Sequence, residues 1–324
     1  MLSQKIFSRY SHTSQPSLSE LAFQLYVEQQ QKWPMLADGV SALNNVQIRR
    51  VDCGDFSVRL QYNPKRIVST GAKVDSASIR ERRCFLCVDN LPPEQQGVLY
   101  KDNFLLLCNP MPIFKEHFTV SHINHIPQSV EESILSFLSL AKDLSPRYSV
   151  FYNGPKCGAS APDHMHFQAS PFGLIPVEKE ILEKKKKIKT ISQTSLFTVE
   201  NYGRQVIVLE GSSEQEIELI FLRLTSAMRK VMNTNEEPMM NVIASFVNGE
   251  WKLIIFPRAK HRPNVYFKEG DEKVLISPAS VDIGGLIVTP MEKDFLSVDA
   301  EMIKNIFEEV SVSQQTVQTI LENL

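Results

Sequence analysis

Over residues 18–33 the apolar side chains fall at Leu18, Leu21, Ala22, Leu25 and Tyr26. That spacing predicts a helix, with Ser17 or Ser19 as its cap and Pro34 as its stop. VQIRRV and FSVRLQY then alternate as two strands, with NPKR as the turn after the second. A polar loop, STGAKVDSASIRERR, leads into CFLCVDN. NFLLLCN and FTVSHI read as strands, followed by a helix from about Ser129 to Ala141 and further strands at YSVFYNG and DHMHFQAS. VEKEILEKKKKIKT reads as a charged, solvated helix or tether, and a boundary is placed near it. Beyond it the same kinds of element return: FTVENY, RQVIVLEG, a helix across SEQEIELIFLRLTSAMRKVM, strands NVIASFVNG and EWKLIIFPRAK, then KVLISPAS, GGLIVTP and a last helix from about Ala300. Antiparallel strands followed by a helix, twice, argue an α+β fold in two lobes, residues 1–190 and 191–324.

Composition adds mainly exclusions. The 324 residues are ample for two lobes, and 43% apolar with 22% charged residues is ordinary for a globular chain. A net charge of −2 gives no basis for broad nucleic-acid or membrane affinity. No apolar run approaches the roughly 18 residues that span a bilayer. The start, MLSQKIFSRYSHTSQPS, lacks the apolar core of a secretory signal and is at most faintly like a transit peptide. Five cysteines make an odd count, with Cys53, Cys108 and Cys157 scattered, which suits a reducing compartment and a cytoplasmic protein.

Three stretches carry chemistry. Cys84 and Cys87, two apart in CFLC, can put both thiolates on one tetrahedral metal; a redox pair is the other reading, but no thioredoxin-like pattern surrounds them. Further ligands would come from His117, His122 or His125, or from DHMHFQ. In a strand, His164, His166 and Gln168 share one face while Met165 and Phe167 take the other. A neutral imidazole held by a hydrogen bond at its far nitrogen is a good nucleophile toward phosphorus. Gly154, Gly158, Ala159 and Ser160 offer backbone N–H groups for phosphate oxygens, and Gln168 can donate without carrying charge. Lys65 and Arg66, and Arg258, Lys260, His261 and Arg262, form short basic clusters; solvated surface and phosphate neutralisation both remain open for them.

The run NGPKCGASAPDHMHFQ resembles the signature of the histidine-triad superfamily. It is closest to the branch with Gln in place of the last triad His: galactose-1-phosphate uridylyltransferases, dinucleoside tetraphosphate phosphorylases and GDP-L-galactose phosphorylases. EHFTVSHINHIPQSV is similar to that family's upstream strand, CFLC to the CxxC of zinc-bearing members, and SPASVDIGGLIVTPMEKDF to GDP-hexose phosphorylases. The likeness is strong over residues 84–168 and weaker elsewhere. It implies two histidine-triad-like lobes, the second degenerate and catalytically silent. It further implies His166 as the nucleotidylated nucleophile and Gln168 as its phosphate contact. A structural zinc would be held by Cys84, Cys87, His125 and His164, with His122 as runner-up to His125. Asn153 would sit at the base or ribose end, Gly158 and Ser160 at the phosphates, and Arg66, Arg258 and Arg262 as substrate-binding cations. Ala159 and Ala161 stand where the family often has Gly and Ser, so the phosphate contacts depart from its pattern.

The expectation is therefore a nucleotidyltransferase of the phosphorylase type. It would act on a nucleoside diphosphate sugar, GDP-hexose first, with phosphate or sugar phosphate as the second substrate, and a homodimer is compatible with this. The rivals are a dinucleoside tetraphosphate phosphorylase (or ATP adenylyltransferase), a hexose-1-phosphate uridylyltransferase, and a nucleotide-binding sensor without turnover. A nucleic-acid-processing role is disfavoured by the absence of a broad basic patch.

Overall fold

Ser17 caps the first helix, Leu18–Lys32. The Glu20 N–H donates to the Ser17 hydroxyl, and the Ser17 N–H donates back to the Glu20 carboxylate at 2.8 Å. This computed structural model describes residues 2–11, 15–72 and 74–324; Lys73 of the polar loop and part of the Ser-rich start lie outside them. Among the described residues no helix is long and apolar enough to cross a membrane.

The strands are β1 (Ile6–Tyr10), β2 (Gln47–Asp52), β3 (Ser57–Tyr62), β4 (Gly97–Tyr100), β5 (Phe104–Cys108), β6 (Phe118–His122), β7 (Tyr148–Asn153), β8 (His166–Pro171), β9 (Lys185–Ile191), β10 (Thr194–Val199), β11 (Ile207–Gly211), β12 (Met240–Val247), β13 (Glu250–Pro257) and β14 (Leu286–Thr289). Eleven form one sheet in the order β1-β4-β5-β6-β8-β7-β12-β13-β11-β10-β9. Only β1, parallel to β4, breaks its antiparallel pattern. Read inward from each side, β4-β5-β6-β8-β7 and β9-β10-β11-β13-β12 follow one plan. In each half a helix, Ile134–Asp143 or Glu214–Val231, follows the third strand. The α+β class with two repeated lobes is thus what the chain adopts, and the lobes share one sheet, joined where Asn153 of β7 faces Asn241 of β12.

One face of this sheet buries Val120, Phe167, Leu209, Val242 and Leu253 against the helices Leu18–Lys32, Ile134–Asp143 and Glu214–Val231. On the other face, the C-terminal half is covered by the small sheet β14-β3-β2 and the final helices, around Val208, Ile243, Ile254 and Phe256. Burial of these aliphatic strands stabilises each lobe by about 25 cal/mol per Å2 of apolar surface.

Two local expectations change. The helix placed from Ser129 starts at Ile134, because the carboxylate of Glu237 accepts the N–H groups of Val130 (2.8 Å) and Glu131 (3.2 Å) and draws that segment away. The Lys-rich segment is a helix only over Val177–Lys184; it then extends as β9 at the sheet edge. There Lys185 pairs with Glu210 and Lys186 with Glu200. Lysines along an edge strand keep its outer row hydrated and unavailable for further pairing.

Candidate active site

The ligand atoms of Cys84, Cys87, His125 and His164 lie within 4.8 Å of one another. Both imidazoles present Nδ1 to sulfur: His164 at 3.3 Å from Cys84 Sγ, and His125 at 3.2 Å from Cys87 Sγ. Their opposite nitrogens are held in turn. His164 Nε2–H donates to the His122 carbonyl at 2.7 Å, and His125 Nε2 lies 3.5 Å from an Asp163 carboxylate oxygen. Two soft thiols and two imidazoles whose far nitrogens are anchored form a donor set that can hold a metal ion. His122 is not among them; its ring hydrogen-bonds within its own turn, to Asn124, and packs edge-on against Phe104.

His164 precedes β8, and its carbonyl does a second job: it accepts His166 Nδ1–H at 2.8 Å. That bond fixes the His166 tautomer with Nε2 unprotonated. Gln128 clamps the backbone of the same residue, accepting its N–H at 2.8 Å and donating to its carbonyl at 3.0 Å. Burial pushes the His166 pKa down to about 4. Two residues on, along the same strand face, Gln168 Oε1 meets His117 Nε2 at 2.8 Å.

A cleft of about 580 Å3 opens over these two side chains, with Arg66, Arg82 and Ser160 as polar walls and Met35 and Phe85 among its apolar ones. A narrower cavity of about 60 Å3 shares Arg66, Ser160 and Gln168 with it and is closed by Arg262, Ser277 and Asp282 from the C-terminal half. Asn153 lines this second space; its Oδ1 is taken by the Ser280 N–H (2.8 Å) and by Asn241 Nδ2 (3.0 Å). Gly158, at φ +95°, turns the loop there, and a Cβ on it would stand 2.6 Å from Ala279 Cβ, so only glycine fits. Arg66 donates Nη1 to the Met111 carbonyl at 2.6 Å, while its Nε is buried without a partner. Arg82 is tied through Nη2 to Asp163 at 2.6 Å, and its Nη1 is likewise buried and unpaired. Unpaired guanidinium N–H groups beside a cleft are donors suited to an anion.

Comparison with known proteins supplies the context for this geometry. Residues 25–171 match a family model described as a domain of unknown function (DUF4922), and residues 176–324 match one described as GDPGP1-like, C-terminal domain. No curated protein matches the sequence. Among solved structures, yeast Ap4A phosphorylase Apa2 superposes with a TM-score of 0.57 at 15% identity, over 91% of this chain and 94% of that one. Its complex with Ap4A gives 0.56 at 15% identity, over 88% and 97%. The chain shares the two-lobed fold of that phosphorylase.

Within that fold the second lobe carries no counterpart to the His166 face. Its equivalent strand, β13, is WKLIIF, and His261 lies beyond it, lining the narrow cavity with its pKa lowered to about 4 by burial and by Arg262 and Arg258. Arg258, expected among the substrate-binding cations, instead belongs to the interior. It is fully buried, donating Nε to the Val310 carbonyl at 3.0 Å and Nη1 to the Pro278 carbonyl at 2.9 Å, with Nη2 on the Lys260 and His261 carbonyls. Arg262 does line the cavity, donating Nε to Ser277 Oγ at 3.0 Å and stacking on Tyr266. Arg82 was not singled out by its sequence; the signal available was the basic run RERR leading into CFLC.

Proposed function

We propose that this chain is a nucleotidyltransferase of the phosphorylase type, working by double displacement on a nucleoside diphosphate sugar. The observation that carries this reading is the His166 tautomer: with Nδ1–H donated to the His164 carbonyl, the free Nε2 lone pair faces a cleft that Gln168 and two incompletely paired arginines share. His166 Nε2 attacks the α-phosphorus, forming an N–P bond as the anhydride P–O bond breaks and the sugar phosphate leaves with the electron pair. An oxygen of inorganic phosphate or of a sugar phosphate then attacks the same phosphorus, breaking the N–P bond and returning neutral His166. Gln168 donates to the phosphoryl oxygens and has no proton to transfer, so the leaving group departs as an anion. Phosphates meet that condition; alkoxides and amines do not.

Arg66, Ser160 and the Gly158 turn would meet the phosphates, with Asn153 and Arg262 at the second cavity. GDP-hexose is favoured as substrate. The support is the match of residues 176–324 to the GDPGP1-like C-terminal domain, the half that closes the narrow cavity. A dinucleoside polyphosphate is the second reading, favoured by the likeness in fold to a structure solved with Ap4A. Zinc is the metal proposed for Cys84, Cys87, His125 and His164. Bound there, it would tie the loop at Cys84 to the strand pair β6 and β8 and supply structure rather than chemistry.

The test is to incubate the protein with α-32P-labelled GDP-hexose or dinucleoside tetraphosphate and to look for acid-labile label on His166, followed by its release on adding phosphate. A His166→Ala protein that keeps turnover, or a wild type that takes no label from either substrate, sinks the mechanism. Binding without label would make the chain a nucleotide sensor.

A further inference from the structure

His117 lies at the end of the loop NPMPIFKEH, just before β6, with 2% of its surface exposed. Three bonds fix it. Its carbonyl accepts the Asn109 N–H at 2.9 Å, closing the loop. Its Nδ1 accepts the Ile113 N–H at 3.2 Å, and its Nε2 meets Gln168 Oε1 at 2.8 Å. A backbone N–H can only donate, so Nδ1 must carry the lone pair, and in a neutral imidazole the proton then sits on Nε2. The partner on Gln168 must therefore be its carbonyl oxygen, which turns the Gln168 NH2 toward the cleft. Burial and the nearby Arg66 charge keep this ring neutral, with its pKa lowered to about 3.

The Ile113 peptide that sets this direction is itself held from β3 and the turn after it. Three successive carbonyls of the loop, those of Met111, Pro112 and Ile113, accept from Arg66 Nη1 (2.6 Å), Asn63 Nδ2 (3.2 Å) and Gln61 Nε2 (3.2 Å). The loop cannot rotate the Ile113 N–H away without breaking these contacts.

We infer that His117 is a positioning residue: it locks the side-chain amide of Gln168 with its donor edge toward the reacting phosphoryl group. Gln168 alone can present either edge, because its amide is nearly symmetric in shape. With the oxygen edge outward it would repel a phosphoryl oxygen; the His117 contact removes that orientation. This rests on the phosphoryl-contact role proposed above for Gln168. A histidine placed as a possible metal ligand by sequence alone thus acts at the other end of the site, through an amide rather than on a metal.

Two variants separate the two ring nitrogens. His117→Asn keeps an acceptor near the Nδ1 position for the Ile113 N–H but has no donor for Gln168. His117→Gln reaches the Nε2 position with an N–H for Gln168. The readout is the single-turnover rate and half-saturation of 32P labelling by GDP-hexose and by dinucleoside tetraphosphate, with thermal melting as the folding control. His117→Gln is expected within a few-fold of wild type. His117→Asn is expected to slow labelling roughly 10- to 100-fold with little change in half-saturation, and to cost almost nothing further once Gln168 is Ala. Equal losses in the two variants, or an undiminished His117→Asn loss in the Gln168→Ala background, overturn the inference. Independently of any activity, long-range 1H–15N spectra of 15N-histidine-labelled protein should show His117 as the Nε2–H tautomer; the Nδ1–H form overturns the inference even if labelling succeeds. A wild type that takes no label but shows the Nε2–H form removes the proposed function and leaves the locked amide standing.

Discussion

β8 and β13 occupy the same place in two copies of one plan, yet they have opposite surroundings. Each is the fifth strand of its half, paired with the third and fourth. On the face where β8 carries His166 and Gln168, β13 carries Ile254 and Phe256. Those two are packed under the small sheet β14-β3-β2 and the final helices, whereas over β8 the cover is withdrawn to leave the cleft. The repeat supplies a rigid sheet twice; the copies differ in that one face is open and bears an imidazole and an amide, where the other is covered and bears aliphatic and aromatic carbon. The second copy also contributes what the first lacks, since Arg262, Ser277 and Asp282 reach across to close the narrow cavity.

Mutations along the two strands should therefore fail in different ways. His166→Ala is expected to lower turnover by about a thousandfold or more while leaving thermal stability nearly unchanged. Ile254→Ala, fully buried on β13, should cost about 2–5 kcal/mol of stability, read by denaturant unfolding, with the rate per folded molecule intact. A β13 substitution that abolished labelling in folded protein would erase the distinction between a working copy and a supporting one.

The cluster of Cys84, Cys87, His125 and His164, proposed to hold zinc, lies within the first half. Cys84→Ser or treatment with a strong chelator should take the zinc content, measured by elemental analysis, from about one per chain toward zero and lower the melting temperature by several degrees or more. Purified wild-type protein that folds with almost no metal would refute the assignment.

Arg258 and Arg262, four residues apart in one basic cluster, give a finer contrast. Arg258→Ala strands several buried carbonyls and should destabilise the chain by about 3 kcal/mol, with substrate affinity unchanged in the folded fraction. Arg262→Ala should leave stability within about 1 kcal/mol and raise KM roughly tenfold. The reverse pattern would return Arg258 to the site.

The smallest effect concerns Glu178, buried where β8 leads into the second half, its Oε2 accepting the N–H groups of Gly173 and Ile175. Desolvation raises its pKa to about 7 from an ordinary 4.5. The folded state therefore holds this proton more tightly than the unfolded state does. The contribution is full below about pH 4.5 and is lost as pH rises toward 7. Glu178→Gln should flatten that decline across the window, and an unchanged pH–stability curve would refute the shift.

Strand alternation made most of the sheet readable, because a half-buried strand must repeat every two residues whatever lies beyond it. The Lys-rich stretch misled because lysines on an edge strand and lysines on a solvated helix look alike in sequence; only the pairing with β10 distinguishes them. The CxxC spacing marked a metal-type cluster locally, but His122 and His125 both lay within reach, and the turn at Asn124 decides which ring faces the thiols. The basic cluster around Arg258 was visible, while the inward direction of one arginine and the cavity-facing direction of its neighbour were not.

The sequence by itself determined the alternation of elements, the α+β class, the glycine-bearing turn before β8 and the set of candidate side chains for the proposed chemistry, since these depend on residue type and short-range spacing. Only the tertiary structure decided which of those side chains meet. The tautomer of His166 depends on a carbonyl two residues back, the orientation of Gln168 on a histidine 51 residues away, and the closed end of the cavity on loops of the C-terminal half. Hydrogen bonds are directional and saturable, so their partners are settled by where the folded sheet brings donor and acceptor, and spacing along the chain does not encode that.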